Sequence, residues 1–149
     1  MRIRTAIVLL AGAWTTAALH TALRAQEPAA KPAQSVLDGV YTEEQAKRGE
    51  ALYASECSSC HGQTLEGADM GPPLNGGVFL SNWNTLTVGD LFERIRLTMP
   101  DGNPGKLTRQ QNADVVAYIL KASKYPAGKT ELATQTETLK QIRFEPPKP

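Results

Sequence analysis

Residues 56–62 read ECSSCHG and hold both cysteines of the chain, Cys57 and Cys60, together with His61, one of its two histidines. A Cys-x-x-Cys-His spacing is compatible with three kinds of site, namely a metal knuckle, a redox-active disulfide and the covalent attachment of a prosthetic group. The rest of the sequence has to discriminate among these three.

Length and composition limit the class of protein. A chain of 149 residues allows one ordinary domain, or less if a targeting segment is removed. Apolar residues make up 41% of the sequence, but aromatic residues make up only 6%, which leaves few large side chains to fill a core without help. A formal net charge of +1 does not predict the strongly basic face that binds nucleic acid.

The N-terminus has the pattern of an export signal. Arg2 and Arg4 precede an uncharged, mostly apolar stretch over residues 5–23, and Ala25 offers a small residue at a plausible cleavage point. We therefore expect a signal peptide over residues 1–25 and a periplasmic location. The alternative is an uncleaved membrane anchor, because the uncharged stretch approaches the length that spans a bilayer.

Residues 26–40 are rich in Ala, Pro and polar side chains and show no hydrophobic period, which predicts a flexible linker. The following residues carry the signals of ordered structure, so we expect the folded domain to occupy residues 41–125. A C-terminal extension at 126–149 follows it. Four apolar residues could pin this extension against the domain, although a disordered tail is equally compatible with its polar composition; they are Leu132, Leu139, Ile142 and Phe144.

Three helices are predicted from capping patterns followed by apolar residues at helical spacing. They begin after Thr42, Thr87 and Thr108. The first runs into Cys57, and the other two end before prolines. Residues 67–84 are rich in Gly, Pro and Asn and are predicted to form a long loop, which is unusual in a compact domain unless the loop wraps around something. No strand alternation or internal repeat is visible, so the fold class is all-α.

The three possible sites can now be compared. A structural zinc site requires four ligands, and beyond the predicted signal peptide the chain offers only Cys57, Cys60 and His61. A thioredoxin-like disulfide requires a βαβ sheet around the motif, whereas here the motif follows a predicted helix. The remaining interpretation is one haem c, held covalently by the two thiols, which are three positions apart on a helical turn. His61 can then reach the iron from the same side.

Several motifs resemble those of the class I c-type cytochromes, of the single-haem kind associated with periplasmic dehydrogenases. The resemblance covers about residues 43–125 and is carried by GEALYASECSSCHG, then GPPL, then a tryptophan loop, TMP and VVAYIL. It implies an all-α fold in which three main helices and long loops wrap around one covalent haem. It also implies His and Met ligands on opposite faces of the iron.

The sixth ligand is expected to be a methionine, because a thioether sulfur suits iron that cycles between two oxidation states. Met1 lies in the predicted signal peptide, which leaves Met70 and Met99. Met70 follows His61 by only nine residues, so reaching the opposite face of the iron would strain the loop. Met99 ends a predicted helix and matches the Met-Pro placement of the family, and we expect it to be the ligand. Met70 is the reserve, and core packing is the ordinary role of a lone methionine.

The resemblance also implies supporting contacts. The Pro72 carbonyl is expected to accept a hydrogen bond from the ring of His61, although Gly71–Leu74 is also compatible with an ordinary Pro-rich turn. Trp83 is expected to direct its indole N–H to a haem propionate, the alternative being a plain core or surface tryptophan. Gly49 is expected to let the last helix cross the first closely.

Coordination by both His61 and Met99 would leave the iron without a vacant position. The sequence therefore predicts an electron carrier rather than an enzyme, taking electrons from a periplasmic dehydrogenase and passing them to another cytochrome or an oxidase. The alternatives are a haem enzyme or gas sensor with an open distal site, such as a small peroxidase, and a haem-bearing subunit of a larger complex. No nucleic acid partner is expected, and membrane association is expected only if the N-terminal segment is not cleaved.

Overall fold

The fold is described by a computed structural model that covers residues 34–146. The predicted signal peptide, residues 26–33 of the predicted linker and residues 147–149 lie outside the described residues. In this part of the chain no helix is long and apolar enough to cross a membrane. The elements in chain order are β1 (Gln34–Ser35), a short 3-10 helix (Val36–Asp38), α1 (Glu43–Glu56), α2 (Ser58–His61), α3 (Gly76–Trp83), α4 (Val88–Thr98), α5 (Arg109–Ala122), α6 (Thr136–Leu139) and β2 (Ile142–Arg143).

The three long helices α1, α4 and α5 begin where the capping patterns predict. The hydroxyls of Thr42, Thr87 and Thr108 each accept a hydrogen bond from a backbone N–H in the first turn. At Thr87 and Thr108 the side chain of the third helical residue also accepts from the cap backbone, which completes a capping box. The all-α fold class and the starts of its main helices are therefore confirmed.

Helices α1 and α5 cross in close contact. Gly49 of α1 lies against the main chain of α5 at Asp114 and against the Cβ of Tyr118, as expected from the sequence. Beside this contact, the guanidinium of Arg48 donates two hydrogen bonds to the Asp114 carboxylate, at 3.1 and 3.0 Å. The crossing fixes the direction in which α1 delivers Cys57 to its site.

The prediction of a long loop over residues 67–84 is wrong for the second half of that range, because Gly76–Trp83 forms the helix α3. Two glycines open this helix, and although its N-cap residue Asn75 is of a favourable type, its side chain makes no capping hydrogen bond. The helix is stabilised by tertiary packing of Phe79, which is buried in the core.

Part of the predicted linker is also ordered. Residues 34 and 35 pair in parallel with Ile142 and Arg143, and Val36 is completely buried. The prediction of a flexible linker is therefore wrong for residues 34–40. The stabilising partner lies more than a hundred residues away along the chain, so the local composition carries no signal of it.

The described part of the C-terminal extension packs against the domain. The four apolar residues that the sequence suggests as anchors are all buried, and they belong to the same hydrophobic core as the long helices. Helix α6 contacts α4, and the main chain at Lys140 lies close to Gly89 in the first turn of α4. The extension thus adds a layer to the domain next to the segment that joins α3 to α4.

Candidate functional site

The Cys-x-x-Cys-His segment forms a single helical turn that follows α1 after a break at Cys57. The Cys57 N–H still donates to the Tyr53 carbonyl at 2.9 Å, as the last bond of α1. The Cys57 carbonyl then accepts from the N–H groups of Cys60 and His61, at 3.1 and 3.0 Å. This turn places two thiols three positions apart and the imidazole immediately after them.

Neither cysteine is in a disulfide, and both are half-buried. Burial, followed by the neighbouring Glu56 carboxylate and the Cys60 thiol, raises the pKa of Cys57 to about 11. A reactive disulfide-exchange cysteine has a lowered pKa, because the thiolate is the attacking species. The environment of Cys57 therefore disfavours the redox-disulfide interpretation. Within residues 34–146, no group of three or more His, Cys, Asp or Glu side chains is placed to hold a metal ion.

His61 is buried, and one of its ring nitrogens is engaged. Its Nδ1 lies 2.8 Å from the Pro72 carbonyl oxygen, so the tautomer protonated at Nδ1 donates to that carbonyl. The other nitrogen, Nε2, has no hydrogen-bond partner among the described residues. An imidazole held in this way is oriented and made more basic for coordination through Nε2.

The loop that carries Pro72 lies against the imidazole. At Gly71 a Cβ would be 2.8 Å from the Cys60 carbonyl oxygen and 2.9 Å from His61 Nδ1, so only glycine allows this approach. Ala68 and Gly71 exchange two backbone hydrogen bonds, at 2.9 and 3.1 Å, which close the turn. The sequence motif pointed to Pro72, but the tight packing of Gly71 becomes visible only in the structure.

Tyr53 is a supporting residue whose hydrogen bond to Gly62 the sequence did not predict. Its hydroxyl donates to the Gly62 carbonyl at 2.6 Å, and its ring packs on that of Tyr118 with centroids 5.3 Å apart. Burial raises the pKa of the Tyr53 phenol above its usual range, so the hydroxyl stays protonated and remains a donor. Tyr53 thereby ties the end of the Cys-x-x-Cys-His turn to the crossing of α1 and α5.

The two candidate methionines differ in their surroundings. Met99 follows α4 directly, donates its N–H to the Ile95 carbonyl at 2.9 Å, and is half-buried against the hydrophobic core. Met70 is 79% exposed and lies two residues before Pro72, in the loop that contacts His61. Met99 therefore comes from an element separate from that loop, whereas Met70 belongs to it.

Trp83, at the end of α3, is half-buried in an aromatic cluster. Its ring lies 6.0 Å from that of Phe79 and 6.2 Å from that of Phe144, between centroids. In the part of the chain that the structure describes, its indole N–H has no hydrogen-bond partner. The structure thus brings Cys57, Cys60, His61 and Pro72 together and places Met99 and Trp83 at the ends of two other helices.

The donor set fits a haem c. Two free thiols are placed for thioether bonds, and His61 Nε2 has no partner among the described residues. A thioether sulfur, that of Met99, lies on a different element. Large apolar side chains on α3 and α4 are also uncovered, with Val78 61% and Leu97 57% exposed. Exposed apolar surface of this kind is typical of a binding site.

A family model matches the region of the chain that contains these residues. The family model described as "Cytochrome C oxidase, cbb3-type, subunit III" matches residues 44–119, more than half of the chain. Cytochrome c-L of Methylorubrum extorquens is 37% identical over 70 residues, which cover 46% of this chain and 34% of that protein. The structure is also similar to the sulfane dehydrogenase SoxCD from Paracoccus pantotrophus, with 22% identity, a TM-score of 0.48 and coverage of 71% of this chain and 60% of that one.

The chain spans about a third of the length of the curated relative that it matches. The family match itself covers the Cys-x-x-Cys-His turn, the Pro72 loop, Met99 and most of α5. The chain therefore belongs to this cytochrome family and is a class I c-type cytochrome, the kind of protein that carries haem c covalently.

Proposed function

We propose that the protein is a periplasmic single-haem electron carrier whose iron is held by His61 and Met99. It would take electrons from a dehydrogenase and pass them to a downstream cytochrome or an oxidase. The observation that carries the proposal is the 2.8 Å contact between His61 Nδ1 and the Pro72 carbonyl, next to two free thiols. When bound, the haem supplies a one-electron couple between ferrous and ferric iron.

The protein residues have separate tasks in this proposal. Cys57 and Cys60 fix the porphyrin edge to the turn after α1, so the cofactor cannot exchange. The Pro72 carbonyl holds the His61 ring in one orientation and leaves Nε2 for the iron. Neither task requires a bound substrate or a proton that can be transferred. An electron carrier requires neither of these, so the two tasks agree with that function.

The choice of Met99 over Met70 is supported by burial and connection. The loop that carries Met70 contacts His61 through Pro72, so it belongs to the histidine side of the site. Met70 is also 79% exposed, whereas Met99 packs against the core from the end of α4. A ligand that approaches the iron from the side opposite His61 has to come from an element such as the one that ends at Met99.

A site with two strong protein ligands transfers electrons without binding substrate. An open distal site, as in a small peroxidase or gas sensor, would need a polar group to assist there. The sequence has two histidines, and the second, His20, lies within the predicted signal peptide. The described residues therefore offer no distal imidazole, which favours the carrier.

Absorption spectra of the purified protein, oxidised and reduced, test the proposal. We expect spectra of a six-coordinate c-type haem in both states and no reaction of the reduced protein with carbon monoxide at neutral pH. A denaturing gel stained for haem should show a coloured band, because thioether bonds survive denaturation. Rapid binding of carbon monoxide would overturn the carrier in favour of an enzyme or sensor. Complete loss of haem on extraction with acid acetone would overturn covalent attachment.

The location is tested separately. Protein recovered from the periplasmic fraction should begin near Gln26, as measured by N-terminal sequencing or intact mass. Recovery of the full chain with Met1 only in the membrane fraction would replace the cleaved signal with an anchor.

Co-purification tests whether the protein is a separate carrier. If the protein co-purifies with a larger complex from the native source without crosslinking, it is a permanent subunit of that complex.

A further inference from the structure

Near its end, the C-terminal extension carries an aromatic residue, Phe144, that packs on α3. The Phe144 ring lies 6.1 Å from that of Phe79, 6.2 Å from that of Trp83 and 6.3 Å from that of Tyr125, between centroids. Phe144 is 2% exposed, and because it contacts all three other rings it occupies the centre of this cluster. Edge-to-face and tilted pairs at these separations are favourable beyond the area that they bury.

The main chain of Phe144 is fixed to the segment between α3 and α4. Its N–H donates to the Leu86 carbonyl at 2.9 Å, and its carbonyl accepts from the Thr85 N–H at 3.4 Å. On the other side, the Tyr125 hydroxyl donates to the Glu145 carbonyl at 2.8 Å. Phe144 is therefore held on both sides, and it lies against the residues that follow Trp83.

Trp83 is unusual among the members of this cluster. Phe79, Tyr125 and Phe144 are buried, whereas Trp83 is half-buried. Its indole N–H has no partner in the region that the structure describes, although tryptophan N–H groups in such positions usually find one. The rings of Phe144 and Phe79 thus pack against the indole ring of Trp83. The indole N–H remains available to an acceptor that does not belong to the described residues.

We propose that Phe144 is a positioning residue that aims the indole of Trp83 at the haem, so that the C-terminal extension forms part of the cofactor site. This inference rests on the proposed function, because it requires haem bound at the Cys-x-x-Cys-His turn. The acceptor of the indole N–H would be a haem carboxylate. Its negative charge is then partly neutralised by the hydrogen bond.

The experiment uses the mature holoprotein, from which cleavage of the predicted signal peptide removes Trp14, so Trp83 is its only tryptophan. In this protein Phe144→Ala, Trp83→Phe and the double variant are made. Phe144→Leu is the milder change, for the case that the alanine variant does not fold. Leu132→Ala is the matched control, because Leu132 is another buried residue of the extension. Its backbone contacts are with Gln45 of α1, away from the aromatic cluster.

Two readouts distinguish positioning from plain stabilisation. The first is the fluorescence of Trp83, which bound haem quenches by energy transfer that weakens as the distance grows. The second is the reduction potential, since a propionate that loses a hydrogen bond favours ferric iron. We expect Phe144→Ala to raise the fluorescence and lower the potential, and Phe144→Leu to shift both in the same direction by less. Trp83→Phe should lower the potential by a similar amount, and adding Phe144→Ala to it should cause little further change.

The Leu132→Ala control should lower the thermal midpoint and leave fluorescence and potential unchanged. The inference is overturned if Phe144→Ala and Phe144→Leu behave like this control. It is also overturned if Phe144→Ala lowers the potential equally with and without Trp83. A failure of the proposed function has a different signature, namely parent protein without a haem-stained band or with a carbon monoxide-reactive iron. Either of those results would appear before any extension variant is made.

Discussion

At the crossing of α1 and α5, a Cβ built on Gly49 would lie 1.8 Å from the Asp114 carbonyl oxygen. No side chain fits at that separation, so the two helices can approach in this way only because Gly49 lacks one. The same contact sets the direction of α1, whose last turn leads into Cys57. A change at Gly49 therefore acts on the haem turn through the position of the whole helix.

We predict that Gly49→Ala destabilises the holoprotein. Forcing a methyl group into a filled contact costs about 1–3 kcal/mol, which outweighs the gain in helix propensity of about 1 kcal/mol. Denaturant unfolding followed by circular dichroism measures the difference. Gly77→Ala in α3 is the matched control, because a Cβ there meets nothing within 4 Å. If both variants changed the free energy of unfolding equally, the alanine methyl group at position 49 would not be clashing with α5.

How far the sequence predicts this fold depends on whether a signal is local. Thr42, Thr87 and Thr108 mark helix starts because capping involves residues only three positions apart. Helix α3 escapes prediction because its stability comes from burying Phe79 and not from its first residues. The order of residues 34–36 is not predicted for a related reason. Strand β1, which precedes Val36, pairs with β2 only when the extension folds back.

The same distinction applies to the site. The turn that holds Cys57, Cys60 and His61 is a contiguous motif, so its residues and chemistry can be read from the sequence. The contact between His61 and Pro72 spans eleven residues, and it was expected only from the resemblance to a family. The packing of Phe144 on Trp83 joins the C-terminal extension to α3, and no local pattern in either segment indicates the other.

We predict that Gly71→Ala raises the reduction potential. Its Cβ would contact both the Cys60 carbonyl and His61 Nδ1, which should push the loop outward and weaken the bond to the Pro72 carbonyl. A less basic imidazole stabilises ferric iron less. A hydrogen bond of about 1 kcal/mol that acted on the ferric state alone would correspond to about 40 mV for one electron, so the shift should not exceed this value. Redox titration measures the shift, with Gly77→Ala again as control, and an unchanged or lower potential would contradict the role given to Pro72.

Acid stability should depend on Glu93, which connects α4 to α6. Its carboxylate accepts hydrogen bonds from Arg96, at 3.0 and 2.6 Å, and from the Thr136 hydroxyl. The Arg96 guanidinium has the larger effect and the Thr136 hydroxyl the smaller one. Together they lower the pKa of Glu93 from 4.5 to about 2. Because the folded pKa is lower than the unfolded one, the stabilisation is complete above pH 4.5 and is lost as the pH falls toward 2.

We therefore predict that Glu93→Gln is less stable than the parent at neutral pH and that the difference shrinks between pH 4.5 and 2. Denaturant unfolding at a series of pH values measures it. The control is Glu131→Gln, because the ion pair between Glu131 and Arg48 is largely exposed and exposed pairs contribute about 0–1 kcal/mol. A constant difference between Glu93→Gln and the parent over this pH range would show that Glu93 contributes through packing and not through its charge.

The axial ligand is tested by comparing the two methionines. Met99→Ala should retain its haem, because the thioethers and His61 remain, but it should lose the weak band near the red end of the spectrum that arises from sulfur coordination. Its potential should fall, since a thioether ligand raises the potential, and the reduced form should bind carbon monoxide at the vacated position. Met70→Ala is the matched control, and because Met70 is 79% exposed it should leave spectrum and potential unchanged. If Met70→Ala alters both properties while Met99→Ala alters neither, the ligand comes from the loop on the His61 side and Met99 is a packing residue.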